Sequence, residues 1–139
     1  MISGSSVCSS FKADLLGGVH DFLHDQFHMA LYSADANINA DTTAYLIEGE
    51  ITGQGYTAGG LTLANPQILS EARTAYVTFD DPVWVNSSLT ARGALIYNAS
   101  KGQKAVAVLD FTSDKVSNQG SFRVKMPPPA PATALIRIA

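Results

Sequence analysis

All three histidines of the chain lie in one stretch, H-D-F-L-H-D-Q-F-H, as His20, His24 and His28, with Asp21 and Asp25 between them. Imidazoles four residues apart share a helix face, and a pair at that spacing can hold zinc. Three cannot share one ion on a straight helix. The outer two stand about 12 Å apart along the axis, whereas each ligand nitrogen must come within about 2 Å of the metal. The flanking residues also argue against one continuous helix. Gly17 and Gly18 precede the stretch, each costing roughly 1 kcal/mol inside a helix, and Phe27, Met29 and Leu31 then alternate with His28, Ala30 and Tyr32 as in a strand. The expectation is a helix end before His20, a loop around His24, a first strand through His28, and no metal site.

Other chemistry-bearing residues divide the same way between a functional and a structural reading. G-Q-G-Y-T-A puts Gly53, Gly55 and Ala58 at the offsets of the dinucleotide-binding fingerprint. That motif needs a helix to begin within its glycines so that amide N–H groups face a pyrophosphate, and here the chain continues G-G-L-T-L-A-N-P, which reads as a flexible loop. Glu48 and Glu50 share a face on a strand, about 7 Å apart, and Asp80-Asp81 precedes Pro82. A glycosidase could use either pair, but paired glutamates on an exposed strand face ordinarily serve solvation and Asp-Asp-Pro is an ordinary turn opener, so the structural reading is preferred. Trp84 could stack on a sugar or anchor a partner, with core packing as the alternative. Walker, G-x-S-x-G, C-x-x-C and H-E-x-x-H patterns are absent, so no catalytic, cofactor-binding or metal-ligating residue is assigned and the protein is read as a non-enzyme.

The elements that must position these residues are mostly strands. Ser10 reads as the N-cap of a two-turn helix with Phe11, Leu15 and Leu16 on one face, stopped by Gly17-Gly18. Beyond the strand from Phe27, the runs Thr43 to Ile51, Thr74 to Phe79, Leu89 to Tyr97, Lys104 to Phe111, Ser121 to Met126 and Ala134 to Ile138 are rich in β-branched and aromatic residues. Turn chemistry separates them, as in A-N-P, D-D-P and S-D-K-V-S-N-Q-G. A-L-I-Y and A-V-A-V-L are apolar at nearly every position and read as central strands, whereas Phe122, Val124 and Met126 alternate with Arg123 and Lys125 and give one wet face. Such punctuation predicts a mainly β chain, a β-sandwich or jelly roll, with a short N-terminal helix. It forms a single domain over 1–139, with a flexible Ser-rich arm at 1–10 and a Pro-rich break at 127–131 before a last segment that can pair at home or on a neighbour.

Composition bounds the partners. Charged residues make up only 15% of the 139 and hydrophobic ones 46%, so much of the surface is uncharged, as suits assembly. The formal net charge of −3 and scattered lysines and arginines leave no basic stripe for nucleic acid. No apolar run is long enough to span a membrane and no signal sequence is evident, which reads as synthesis in a cytoplasm. The lone Cys8 reads as a small residue, and the sequons at Asn86 and Asn98 as chance.

Several blocks, in order, carry a resemblance: F-K-A-D-L-L-G-G-V-H-D-F, F-H-M-A-L-Y-S-A-D-A, T-A-Y-L-I-E-G-E-I-T-G-Q-G-Y-T-A-G-G, T-A-Y-V-T-F-D-D-P-V-W, T-A-R-G-A-L-I-Y-N, A-V-A-V-L-D-F and A-L-I-R-I-A. Spread over about residues 11 to 139, they resemble a family of small virion proteins of tailed bacteriophages. The resemblance implies a jelly-roll capsid cement, or decoration, protein on the outer surface of a head. Its partner would be the major capsid protein, with a homodimer as the favoured assembly. The alternative is a tail adaptor or fibre-associated subunit, and from a different class a carbohydrate-binding module. Candidate partner contacts are Phe11, Leu15, Trp84, Pro127, Pro128 and Pro129.

Overall fold

A computed structural model gives the fold and describes residue 2 and residues 4–139. In chain order its elements are β1 (Ser6–Val7), α1 (Ser9–Leu16), β2 (Phe27–Tyr32), β3 (Leu61–Thr62), β4 (Gln67–Glu71), β5 (Thr74–Thr78), β6 (Val83–Ser87), β7 (Thr90–Asn98), β8 (Lys104–Val116), β9 (Gly120–Arg123) and β10 (Ile136–Ile138). The described chain is therefore mainly β with one short helix. Its strands pair antiparallel in a large sheet of order β1-β8-β7-β2-β3, a sheet of order β10-β5-β4, and the pair β6-β9.

The apolar runs lie where their composition demands. Ala94 to Tyr97 on β7 and Ala105 to Leu109 on β8 are buried, and these two strands share the longest ladder. A strand wetted on neither face needs apolar residues at every position, and each large side chain buried there contributes roughly 1.5–3 kcal/mol. One core cluster extends from Ile2 through Phe11, Phe27, Trp84 and Phe122 to Ile136. On β9 and its continuation, Phe122 and Val124 are buried while Arg123 and Lys125 are exposed, in the expected alternation.

Several elements differ from the sequence reading. The N-terminal segment is built in rather than loose. Ser6 and Val7 pair with Val108 and Ala107, the Gly4 amide donates to Asp110 Oδ2 at 2.9 Å, and Ile2 is buried. Met1 and Ser3 of the expected arm lie outside the described residues. The helix begins two residues early, with Cys8 at the cap position and no side-chain cap, so Ser10 is not the N-cap. Phe11 faces inward, but Leu16 is 90% exposed and does not share its face.

Thr43 to Ile51 is not a strand. Single bridges at Ala44 and Glu50 flank a turn closed by the Glu50 amide donating to the Ile47 carbonyl at 3.0 Å. Gly49 makes that turn at φ +84, with its α-carbon so close to Ala36 that a Cβ would stand 2.5 Å from the alanine methyl. Conversely, Q-I-L-S-E and V-W-V-N-S form β4 and β6, and β8 continues through Val116 into what looked like turn sequence. The Pro-rich segment lies outside any strand, and β10 then pairs at home with β5, Ile136 against Val77.

Candidate functional site

The three histidines occupy three local structures. His20 follows the α1 turn and is buried, His24 sits in an exposed turn against Asp21, and His28 is on β2 within reach of the Thr62 hydroxyl at 3.1 Å. Among the described residues no group of three or more His, Cys, Asp or Glu side chains converges on a metal-sized site. His20 belongs instead to a buried polar knot. Asn98 Oδ1 accepts from the Ser100 amide at 3.0 Å, so its Nδ2 donates, to Asp25 Oδ2 at 2.9 Å and to His20 Nδ1 at 3.0 Å. The imidazole is thereby neutral with its proton on Nε2, which has no hydrogen-bond partner and lies among Phe11, Phe22 and Phe27. Burial lowers the His20 pKa. Burial alone would raise that of Asp25, but Asn98, the Asp21 amide and Lys101 hold it at about 2.

Among the paired carboxylates, Glu50, Asp80 and Asp81 are held by donors. Glu50 accepts from the Tyr45 and Tyr56 hydroxyls and, at 2.8 Å, from the Gly59 amide, while Glu48 stands exposed in the preceding turn, so the two do not share a strand face. Tyr97 donates to the Gly59 carbonyl at 2.6 Å and Tyr32 to the Leu46 carbonyl at 2.7 Å, so four of the five tyrosines tie down residues 45–60. Burial, reinforced at Tyr45 and Tyr56 by the Glu50 contact, pushes these phenols above their ordinary range. G-Q-G-Y-T-A is a pinned loop, bridged to Ser88 at Gln54, rather than a flexible one. A carboxylate with three donors on it is a structural tie, not a free general base. Asp81 is held low by the Met126 amide at 2.8 Å and by the Arg123 guanidinium, also at 2.8 Å, and Asp80 accepts from Asn65 at 3.3 Å. Burial pushes the Cys8 thiol up to about 11, which keeps it protonated and a poor nucleophile.

The surface offers more than the polar groups do. Phe11 and Trp84 are core residues, each 2% exposed, so they present no contact face in the folded chain; the neighbours of Trp84, Val83 and the 62%-exposed Val85, point outward instead. Leu15 is half-buried on α1. Pro127, Pro128 and Pro129 line an open groove of about 800 Å³ between the β4-β5 hairpin and the β6-β9 pair, with Leu69, Phe79 and Met126 among its walls and the Asp81–Arg123 ion pair on its rim. Exposed Ile68, Val85, Val116 and Ile138 extend apolar surface over the strands of the two smaller sheets and the end of β8. The Pro-rich motif and the runs that became β5 and β9 were legible parts of this groove; the walls from β4 and β6, Gln67, Leu69 and Val83, had no local signal. Comparison with protein-family models, with curated proteins and with solved structures finds no match to this chain.

Proposed function

We propose that the protein is a structural component of a tailed-phage particle, a cement protein that binds the outside of the head and bridges neighbouring major capsid subunits. The observation that carries this reading is the contrast between carboxylates already tied up by donors and an apolar, groove-bearing surface over the smaller sheets. Cement function asks for modest contacts repeated over many copies rather than for a reactive pocket. A jelly-roll arrangement fits the non-consecutive neighbours β1-β8, β2-β7, β5-β10 and β6-β9, which require long crossovers between antiparallel strands.

A protein that binds only the assembled shell stabilises it by the free energy of binding, summed over the sites filled. Heads lacking the protein should therefore rupture at lower temperature and lower osmotic stress than complete heads, and adding the purified protein back should restore resistance. Equal stability with and without it sinks the reading. Counting copies per particle separates this from a tail position, since hundreds suit a shell and about a dozen or fewer suit a tail.

A further inference from the structure

A short turn through Ser117 to Gln119 joins β8 to β9, yet the two strands do not pair: β8 bonds to β7 and β1, and β9 to β6. Tight turns of this length ordinarily close a ladder. Here a bulge separates Asp110 from Lys115 in the β7-β8 register, with the β-branched Thr112 at φ +65. Bulges bend the strand that carries them, and a β-branched residue in the left-handed region is strained. Between the two strands lies an open cleft of about 480 Å³. Its apolar walls are Phe111 and Val116 from β8 and the edges of Phe122 and Val124 from β9 and its continuation.

Every charged residue lining this cleft is a cation. Lys115, Arg123 and Lys125 are three of the nine lysines and arginines in a chain of net charge −3. Arg123 shares its charge with Asp81, whereas Lys115 and Lys125 make no ion pair among the described residues. The β9 edge away from β6 carries no ladder, and β8 beyond Val108 has none on its β1 side. Free strand edges, apolar walls and a lining whose charges are all positive suit one kind of occupant. We propose that the β8-β9 cleft binds an extended acidic segment of a partner protein, added as a strand along β9, with its carboxylates on Lys115 and Lys125 and its apolar side chains on Phe111 and Val116. The apolar walls and the backbone edge favour polypeptide over a phosphate backbone, which needs a longer run of cations. The inference rests on the shell-binding reading only for which protein supplies the segment.

The probe is a short fluorescein-labelled peptide of alternating glutamate and leucine, read by anisotropy, beside its lysine–leucine counterpart and an oligothymidylate of similar length. Saturable binding of the glutamate peptide alone is expected. It should weaken about tenfold or more in Lys115→Glu/Lys125→Glu and at high salt, and stay unchanged in Lys12→Glu/Arg73→Glu, which makes the same charge change elsewhere. Circular dichroism melting checks that each variant folds, and Lys115→Gln/Lys125→Gln replaces a charge reversal that does not. No saturable binding, undiminished binding in the double variant, equal binding of the lysine peptide, or tighter binding of the oligonucleotide overturns the proposal. Failure here leaves the head-stability experiment standing, and failure of that experiment with peptide binding intact removes the shell reading alone.

Discussion

The hydroxyl of Tyr56 accepts the Leu31 amide hydrogen at 3.0 Å and stands where a neighbouring strand would on the edge of β2. On one side the Ile51 amide donates to the Leu31 carbonyl at 3.0 Å; on the other Leu61 of β3 pairs with Met29. The loop between departs from the sheet edge, and a side chain fills the gap it leaves. A buried backbone N–H without a partner costs about 1–3 kcal/mol. Tyr56→Phe orphans Leu31 and removes one donor from Glu50, so it should destabilise by about 2 kcal/mol in urea unfolding. A change of only a few tenths would mean that water or a shifted loop takes the hydroxyl's place.

Stability should fall on mild acidification. Burial is the main cause that lowers the pKa of His20 in the fold; Asp14 and Asp25 raise it, and Lys101 and Lys104 lower it further. Burial also lowers His28. The unfolded chain thus binds protons near its ordinary imidazole value of 6.5 while the native one resists them, and stability present above that pH is lost below it. Protonated Nδ1 of His20 would also face the Asn98 amide donor. Asp25, at about 2 in the fold against an ordinary 3.8, adds a second loss that begins as pH drops below about 4. Urea midpoints measured from about pH 7 to 5 should decline in the wild type and less steeply in His20→Gln. Identical slopes would remove His20 from the account.

The parts of the fold that were legible are those in which local pattern and tertiary environment agree. Ala94 to Tyr97 and Ala105 to Leu109 are apolar throughout and central, and Phe122 and Val124 alternate with charges on a strand with one wet face. Thr43 to Ile51 failed because its β-forming residues are recruited individually: Tyr45 and Glu50 bind one another across a glycine turn instead of a strand. The β4 strand was hidden by its helix-compatible Q-I-L-S-E-A-R and by a turn without Gly or Asn. No local signal reports that β8 and β9 part, since their turn chemistry is that of any hairpin. Trp84 was visible as an anchor, but whether it faces solvent or core depends on the register of β6, which only the pairing with Phe122 sets.

That unmarked turn is itself testable. Ala72 and Arg73, the two residues between β4 and β5, hold φ +52 and φ +67, the geometry for which hairpins favour Asn-Gly. Left-handed backbone costs roughly 1 kcal/mol for an ordinary residue. Arg73→Gly should therefore stabilise the protein by about 0.5–1 kcal/mol, visible as a higher urea midpoint. A loss of stability instead would show that the arginine side chain contributes more than its backbone strain costs.

Gly60 should be the least replaceable glycine of the pinned loop. It has φ +83, and a Cβ there would stand 1.8 Å from the Met29 carbonyl oxygen and 2.8 Å from the Ala30 α-carbon, a collision with backbone on an inner strand. Gly102, at φ +65, has nothing within 4 Å of its would-be Cβ. The two positions separate conformational strain from close approach. Gly102→Ala pays only for the left-handed backbone, about 1 kcal/mol. Gly60→Ala adds displacement of the loop from β2 and loss of the contacts from Tyr56 and Gly59, so it should cost about 3 kcal/mol or more, or abolish folding. Thermal and urea unfolding of the two variants side by side measures the difference, and equal losses would mean that the loop can lift away from β2 at little cost.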